Sequence, residues 1–394
     1  MTATPRPDGT ASSRQAADVT RRLLAPQPRT SALNDGSDTV AAPRQGGAVP
    51  IEWDAARHPA SSILDAVGRT PLVRLDRIAP AGLELVAKVE WYGPTGSVKD
   101  RIYREMLGNA EARGALRPGM TIIECSTGNA GIACAAAAAI KGYACVIVMP
   151  EGMSDERKRM IEAYGAKLVL TPGAGTDIDL ALAKMKELVA EDPDTFFFPG
   201  EFENPDNPNA QMASGLEIWE QTGGGIDAVV ASQGTGGWIT GVARALKERG
   251  PDVKAYAVEP SECPLISEGV WGAHGVPGIG DGIVPRNLDL ACMDGIVTVS
   301  TEESLEMARR IAREEGLLVG PSSGMNVVAA AKVFGKHPDL RRIATVIADT
   351  GQRYLSGELF GESAEVESPD RDHAIDPDSL AKIEANRHRL EFIS

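Results

Sequence analysis

The sequence predicts an α/β fold of two domains, each with a mostly parallel sheet that helices cover. Short, almost continuous apolar runs alternate along the chain with helical patterns, as they do in parallel sheets with helices on both faces. Three Gly-rich loops follow predicted strands, and open α/β sheets bind their ligands at that end. The 394 residues are enough for two such domains with a cleft between them.

Composition and pattern divide the chain into four segments. Residues 1–50 are rich in Pro, Ser, Thr, Gly and Arg and lack the apolar core of a signal peptide, which predicts a disordered extension. Residues 51–205 and 206–358 are the two predicted α/β domains, and 359–394 is a charged tail with a short helix near its end. The Pro/Asn-rich stretch Glu203–Asn209 is the predicted joint between the domains.

The alternation of patterns gives each element a place in the chain. Strands are predicted at Leu83–Val89, Thr121–Glu124, Ala144–Met149, Lys167–Leu170, Ala228–Ala231, Lys254–Val258 and Thr345–Ala348. Helices are predicted at Arg101–Arg113, in the Ala-rich segment that ends at Lys141, and at Asp155–Gly165, Ile178–Ala190, Ile239–Arg249, Thr301–Glu315 and Gly324–Val333.

Charge and cysteine usage exclude several classes of protein. The formal net charge of −15 argues against nucleic acid or an anionic membrane as a partner. No apolar run is long enough to span a bilayer. The five cysteines contain no C-x-x-C pair, so they predict neither a disulfide framework nor a metal site and suit a reducing compartment. We therefore expect a cytoplasmic protein that acts on small molecules.

The first Gly-rich loop, Cys125–Gly131, joins a predicted strand to the Ala-rich helix. Small residues at a helix start leave backbone N–H groups free, and these groups suit an anion such as a carboxylate. A helix cap with a tight turn explains the same residues equally well.

The second loop, Ser232–Gly241, has successive glycines between a strand and a helix, a pattern that favours phosphate binding. Ile239 takes the place of the third glycine of G-x-G-x-x-G, and the chain contains no G-x-x-x-x-G-K-[ST]. The loop therefore favours a phosphate-bearing cofactor that is not a dinucleotide. In the third loop, V-G-P-S-S-G, Ser322 or Ser323 could simply be a helix N-cap.

A lysine, Lys99, stands at the predicted start of a helix in W-Y-G-P-T-G-S-V-K-D-R. The positive end of the helix dipole disfavours an ammonium group, so the pKa of this lysine is expected to fall. A deprotonated lysine can form a Schiff base with an aldehyde. Together with a phosphate loop and a carboxylate loop, it suits pyridoxal phosphate (PLP) and an amino acid, although most lysines are simply solvated.

Six short motifs occur in order along the chain: P-T-G-S-V-K-D-R (Pro94–Arg101), S-T-G-N-A-G (Ser126–Gly131), G-T-G-G (Gly234–Gly237), G-I-G (Gly278–Gly280), P-S-S-G (Pro321–Gly324) and D-T-G-Q-R-Y-L (Asp349–Leu355). This ordered set resembles the cysteine synthase and cystathionine β-synthase family. The members are PLP enzymes of fold type II, and the resemblance extends over about residues 60–358.

The resemblance implies a role for each matched residue. Lys99 would hold PLP as a Schiff base and move the α-proton, Asn129 would bond the ring hydroxyl, and Ser322 would face the ring nitrogen. The phosphate loop would comprise Gly234, Thr235, Gly236, Gly237 and Trp238. The substrate carboxylate would bind to Ser126, Thr127, Gly128 and Asn129.

The resemblance also implies the reaction. It is a β-replacement on serine or an O-activated serine through an aminoacrylate intermediate, giving cysteine or a related β-substituted alanine, in a homodimer. The neutral hydroxyl of Ser322 favours β-elimination over transamination. The alternatives are a lyase of the cystathionine β-synthase type, a serine/threonine dehydratase of the same fold, and a catalytically quiet regulatory or binding homologue.

Four departures from the family pattern leave the leaving group and the nucleophile open. Trp238 and Ala130 stand where threonine is common, and Gly200 or Glu201 stands where members often carry glutamine. Asp281 replaces a small residue. The two carboxylates, those of Glu201 and Asp281, favour an amine or cationic nucleophile over sulfide, and neutral drift is the alternative.

Overall fold

The computed structural model describes residues 60–174, 177–280, 282–357, 359–361 and 375–394. The predicted extension 1–50 and Asp281 lie outside these ranges. Internal contacts divide the chain into 1–66 and 67–394. In the first unit, the described residues include a turn of 3₁₀ helix at Ile63–Ala66; the strands and the cleft described below lie in the second.

The described residues contain eleven strands. They are β1 (Leu72–Arg74), β2 (Glu84–Val89), β3 (Thr121–Cys125), β4 (Ala144–Pro150), β5 (Lys167–Thr171), β6 (Phe196–Phe197), β7 (Ala228–Ser232), β8 (Lys254–Pro260), β9 (Gly295–Val299), β10 (Arg342–Ile347) and β11 (Glu391–Ile393).

The strands form two sheets. The larger sheet has the order β1-β2-β10-β7-β8-β9-β11, and the smaller has the order β5-β4-β3-β6. The strand pairs of both sheets run parallel except β1 with β2. Along β2, Leu85 and Val89 belong to one buried apolar cluster while Val86 belongs to another. The larger sheet is thus covered on both faces, as the sequence predicts.

The helices connect these strands and cover the sheets. They are α1 (Lys99–Ala112), α2 (Asn129–Lys141), α3 (Asp155–Ala163), α4 (Ile178–Glu191), α5 (Asp206–Gln221), α6 (Gly237–Arg249), α7 (Leu265–Glu268), α8 (Thr301–Arg310), α9 (Pro321–Lys336) and α10 (Pro377–Arg387). The predicted helices and strands are present with shifted ends. The segment predicted as one helix over Thr301–Glu315 changes to π-helical geometry at Ile311.

The predicted joint Glu203–Asn209 is only partly a connection, because α5 begins within it at Asp206. Pro205 is the N-cap and Pro208 lies in the first turn, where backbone N–H groups have no partner within the helix. Proline is therefore compatible with this helix start. The domain limits 51–205 and 206–358 stay a prediction; β1 and β2 lie in the larger sheet beside the later strands.

A buried charge network ties β2 and α1 to α5. The Lys88 ammonium is fully buried and lies 2.8 Å from Oε2 of Glu217. The Arg101 guanidinium donates from both terminal nitrogens to the same carboxylate at 2.8 Å, and its Nε donates to Glu90. These cations hold the pKa of Glu217 at about 2, against the opposing effect of burial.

Within the described residues, no helix has both the length and the apolar character needed to cross a membrane.

Candidate active site

A cleft opens at the carboxyl ends of β2, β3, β7 and β10, where the loops after these strands converge. Its volume is about 1000 Å³ including the open mouth. All eleven residues that the sequence singles out line it: Lys99, Ser126, Thr127, Gly128, Asn129, Gly234, Thr235, Gly236, Gly237, Trp238 and Ser322. The structure brings them together, and their individual roles stay predictions.

Lys99 is the first residue of α1, as the sequence predicts, and its side chain is 17% exposed in the cleft. Its Nζ lies 3.0 Å from Oε2 of the buried Glu201. The carbonyl oxygen of Glu201 accepts hydrogen bonds from the side-chain amides of Asn207 and Asn287, each at 2.7 Å. The carboxylate beside the lysine is therefore carried on a fixed backbone.

A second buried carboxyl group, that of Glu124, lies near Glu201. Glu124 accepts hydrogen bonds from the backbone N–H of Cys125 at 3.0 Å and from the hydroxyl of Tyr103 at 3.1 Å. Burial, and then the charge of Glu201, raises the pKa of Glu124 to about 8. Burial also raises the pKa of Glu201, which the Lys99 ammonium opposes. At neutral pH the site can thus hold a proton on the carboxyl group of Glu124.

The loop after β3 is ordered by its own serine. The Ser126 hydroxyl oxygen accepts from the backbone N–H groups of Gly128 at 3.1 Å and Gly131 at 2.8 Å. The N-cap of α2 is Gly128, with no side-chain hydrogen bond at the cap. Ser126 thus takes the N–H of Gly131 in the first turn of α2, and the N–H groups of Asn129 and Ala130 in the same turn suit a carboxylate. Ser126 shapes this loop in addition to any contact with substrate.

Asn129 is held by the segment that follows β10. Its amide nitrogen donates to Oδ2 of Asp349 at 2.7 Å, and its amide oxygen accepts from Arg353. The same Asp349 oxygen accepts from the hydroxyl of Tyr354 at 2.6 Å. Arg353 also donates to the carbonyl oxygen of Thr95, in the loop before Lys99. The D-T-G-Q-R-Y-L segment thus joins the loop before Lys99 to the loop after β3.

The glycines after β7 make space and expose backbone. A Cβ at Gly234 would overlap the carbonyl oxygen of Gly278, and one at Gly237 would overlap the amide of Asn207. Gly236 has φ = 73°, which side-chain-bearing residues rarely adopt, and it is the N-cap of α6 without a side-chain hydrogen bond. The N–H of Gly237 makes one long hydrogen bond of 3.4 Å to the hydroxyl oxygen of Thr235. A helix start behind such a glycine turn suits a phosphate group.

Trp238 occupies the third position of this helix start and is nearly buried beside the cleft. Its indole N–H is buried and has no hydrogen-bond partner among the described residues. The tryptophan therefore adds a large ring to the wall of the phosphate loop, as the departure from the family pattern implies.

The two serines of P-S-S-G have different environments. Gly320 is the N-cap of α9, so the alternative that a serine caps this helix is wrong. Ser323 is fully buried, and its hydroxyl oxygen accepts from the N–H of Ala348 at 3.1 Å. Ser322 lines the cleft instead. Of the two serines, only Ser322 borders the cleft, and its role towards the cofactor stays a prediction.

These features fit PLP. A lysine amine faces the cleft, a glycine cradle at a helix start suits its phosphate, and a serine hydroxyl is available for its ring nitrogen. A model of the pyridoxal-phosphate dependent enzyme family matches residues 63–349 of the chain.

The chain belongs to this family. PLP is accordingly its cofactor. A cysteine synthase of Staphylococcus aureus is 41% identical over 311 residues, which cover 77% of this chain and 98% of the relative. This level of identity places the chain with the cysteine synthase-like PLP enzymes of fold type II.

Solved structures agree with this family. A cysteine synthase of Entamoeba histolytica superposes with a TM-score of 0.74 at 33% identity, covering 85% of this chain and 97% of that one. An O-ureido-L-serine synthase gives 0.72 at 39% identity and covers 79% and 98%. An O-acetylserine dependent cystathionine β-synthase of Helicobacter pylori gives 0.71 at 37% identity and covers 77% and 99%.

Sequence reasoning missed several residues that shape the site. Asp349, Arg353 and Tyr354 lie in a motif that it quoted without assigning them a role. Asn207 lies in the stretch predicted as a joint. Arg157, which lines the cleft from α3, gave no signal because E-R-K-R resembles any charged helix surface.

Proposed function

We propose that this enzyme catalyses β-replacement on an O-activated serine, giving cysteine or a related β-substituted alanine. The observation that carries the proposal is the place of Lys99, whose amine faces the cleft between the carboxylate loop and the glycine cradle. The names of the relatives, which include cysteine synthase and O-ureido-L-serine synthase, support the same class of reaction.

The residues of the site have separate roles in this reaction. PLP, when bound, supplies the ring that withdraws electrons from the substrate α-carbon. Lys99 holds the cofactor and, once released by the substrate amine, takes the α-proton and later returns it. The start of α2 orients the substrate carboxylate, while the start of α6 fixes the phosphate. Ser322 offers a neutral hydroxyl to the ring nitrogen.

Glu201 is the residue that bears on the nucleophile. Its carboxylate lies 3.0 Å from the lysine amine and is buried in the cleft wall. In that position it repels an anion such as hydrosulfide, and it can accept a proton from an attacking amine. We therefore favour an amine or cationic nucleophile over sulfide.

The test uses purified holoenzyme with O-acetyl-L-serine and a panel of sulfide, thiols and amines, followed by identification of the amino acid formed. A β-substituted alanine is expected with at least one nucleophile. Pyruvate and ammonia from serine without any nucleophile would instead indicate a dehydratase. Lys99→Ala should abolish turnover and the absorbance of lysine-bound PLP, whereas Lys184→Ala, which changes a surface residue paired with Glu187, should not.

The assembly and compartment are also proposals. A homodimer follows from the family resemblance, and light scattering on the purified protein tests it. A cytoplasmic location is supported by five cysteines that form no disulfide, four of them buried. Fractionation of the source cells, followed by detection of the protein, would test that location.

A further inference from the structure

Arg157 is a buried cation in the wall of the cleft. It lies in the first turn of α3 and is 6% exposed. Its Nε is buried and has no hydrogen-bond partner, and within the described ranges its guanidinium forms no ion pair. Burial of a charge without a counter-ion destabilises a protein, so a buried, unpaired guanidinium is unusual unless an anion binds to it.

Two neighbours hold the guanidinium in place. Its central carbon lies 5.0 Å from the centre of the Tyr354 ring, in a cation–π contact. A Cβ at Gly128 would come within 2.7 Å of both Cδ and Nε of Arg157. The arginine therefore packs against both the ring of Tyr354 and the glycine at the cap of α2.

Each of the two acidic groups nearby has one oxygen engaged elsewhere, while Oδ1 of Asp349 and Oε2 of Glu156 are buried without a hydrogen-bond partner in the described part of the chain. The Tyr354 hydroxyl donates to Asp349, which also accepts from Asn129. The neighbouring Glu156 accepts from the hydroxyl of Ser356 at 2.5 Å. Neither carboxylate forms an ion pair with the arginine among the described residues. The Arg157 guanidinium, which lines the cleft, is thus in a position to pair with an anionic ligand there.

We propose that Arg157 binds the carboxylate of the amino-acid substrate, together with the backbone at the start of α2. The proposal rests on the proposed function, since it names a further residue of that site. Contact with Gly128 brings the guanidinium against the loop that suits a carboxylate. The planar donor fork of arginine matches the two oxygens of a carboxylate.

The test compares two ligands that differ only at the carboxylate. L-Alanine and L-alaninamide both carry the α-amine, and neither can lose a β-substituent. Their dissociation constants are measured on the holoenzyme from the absorbance change of the cofactor, for the wild type and for Arg157→Gln. We expect the variant to bind L-alanine roughly 10- to 100-fold more weakly, with less than about a twofold change for L-alaninamide.

Controls separate this role from a structural one. Arg159→Gln alters a side chain on the same helix that is 81% exposed, and it should bind both ligands as the wild type does. Arg157→Lys keeps the charge without the fork and should weaken L-alanine binding less than Arg157→Gln. If Arg157→Gln does not fold, the same comparison on Arg157→Lys decides the matter.

The outcomes that overturn the proposal are distinct. Equal weakening of both ligands, or of neither, excludes a carboxylate contact at Arg157. A change confined to the affinity of the nucleophile would place the anion on the second substrate and also overturn the assignment. Failure of the proposed function would appear in the wild type itself, which would then form no β-substituted alanine from O-acetyl-L-serine with any nucleophile.

Discussion

The Nζ of Lys99 and the Oε2 of Glu201 lie 3.0 Å apart in the wall of the cleft, where Lys99 begins helix α1. The positive end of the helix dipole disfavours a charged amine in the first turn of a helix. The carboxylate of Glu201 supplies a negative charge that offsets this effect. The sequence predicts only the effect of the dipole on Lys99, because Glu201 lies about a hundred residues further along the chain.

Glu201→Gln should shift the choice of nucleophile. The neutral amide no longer repels hydrosulfide and no longer accepts a proton from an amine, so the ratio of kcat/KM for sulfide over an amine should rise by about tenfold. Competition between the two nucleophiles for O-acetyl-L-serine measures this ratio. Glu203→Gln, an exposed neighbour, is the matched control. An unchanged ratio would mean that Glu201 does not select the nucleophile.

Ser322→Ala and Ser323→Ala should affect different properties. Ser322 lines the cleft, so its alanine variant should change the absorbance of the bound cofactor and kcat while unfolding at the same temperature as the wild type. Ser323→Ala removes the acceptor of the half-buried Ala348 N–H and should lower the free energy of unfolding by about 1–3 kcal/mol. Thermal melts and absorbance spectra of both variants decide between this assignment and the reverse.

Glu217→Gln should destabilise the fold and remove part of its acid sensitivity. Without the carboxylate, the buried Lys88 and Arg101 lose a counter-charge, and a loss of about 3–5 kcal/mol in the free energy of unfolding is expected at neutral pH. The folded pKa of about 2 lies below the ordinary 4.5, so this stabilisation is present above pH 4.5 and is lost as the pH falls toward 2.

Denaturant unfolding at several pH values tests this expectation. The difference between the wild type and Glu217→Gln should shrink below pH 4.5. Glu220→Gln changes an exposed carboxylate on the same helix and should stay close to the wild type throughout. A gap that stays constant down to pH 2.5 would contradict the charge network.

Glu124→Gln should act in the opposite pH range. The folded pKa of about 8 lies above the ordinary 4.5, so the folded state binds a proton that the unfolded state has lost between these values. The contribution of Glu124 is favourable below pH 4.5 and is lost as the pH rises through 8. As the pH rises from 4.5 to 8, the free energy of unfolding should therefore fall less in the variant than in the wild type, by at least about 1 kcal/mol. Parallel pH curves for the two proteins would refute this.

The sequence predicts much of this fold because most elements carry a local signal. The strand at Thr121–Cys125 and the helix at Asp155–Ala163 follow from apolar runs and periodicity. Helix Asp206–Gln221 was not predicted, since two prolines at its start are also typical of a connection. Strand Gly295–Val299 was also missed; it opens with a glycine, which is uncommon in strands.

The candidate site divides in the same way. Lys99, Ser322 and the glycines of the second loop belong to short motifs, so sequence can single them out. The contact of Arg157 with Tyr354 joins residues far apart in the chain, and only the fold brings them together. Such pairs have no local pattern, because neither residue constrains its own neighbours in the sequence.

The anchoring of Glu201 has a practical consequence for protein engineering. Two asparagine side chains hold its carbonyl oxygen, so the main chain at this position is fixed by contacts that do not involve its own side chain. A saturation library at residue 201 should therefore place different chemical groups near Lys99 on a main chain that does not move. Variation of this single codon is therefore a compact library for the directed evolution of enzymes that form unnatural amino acids.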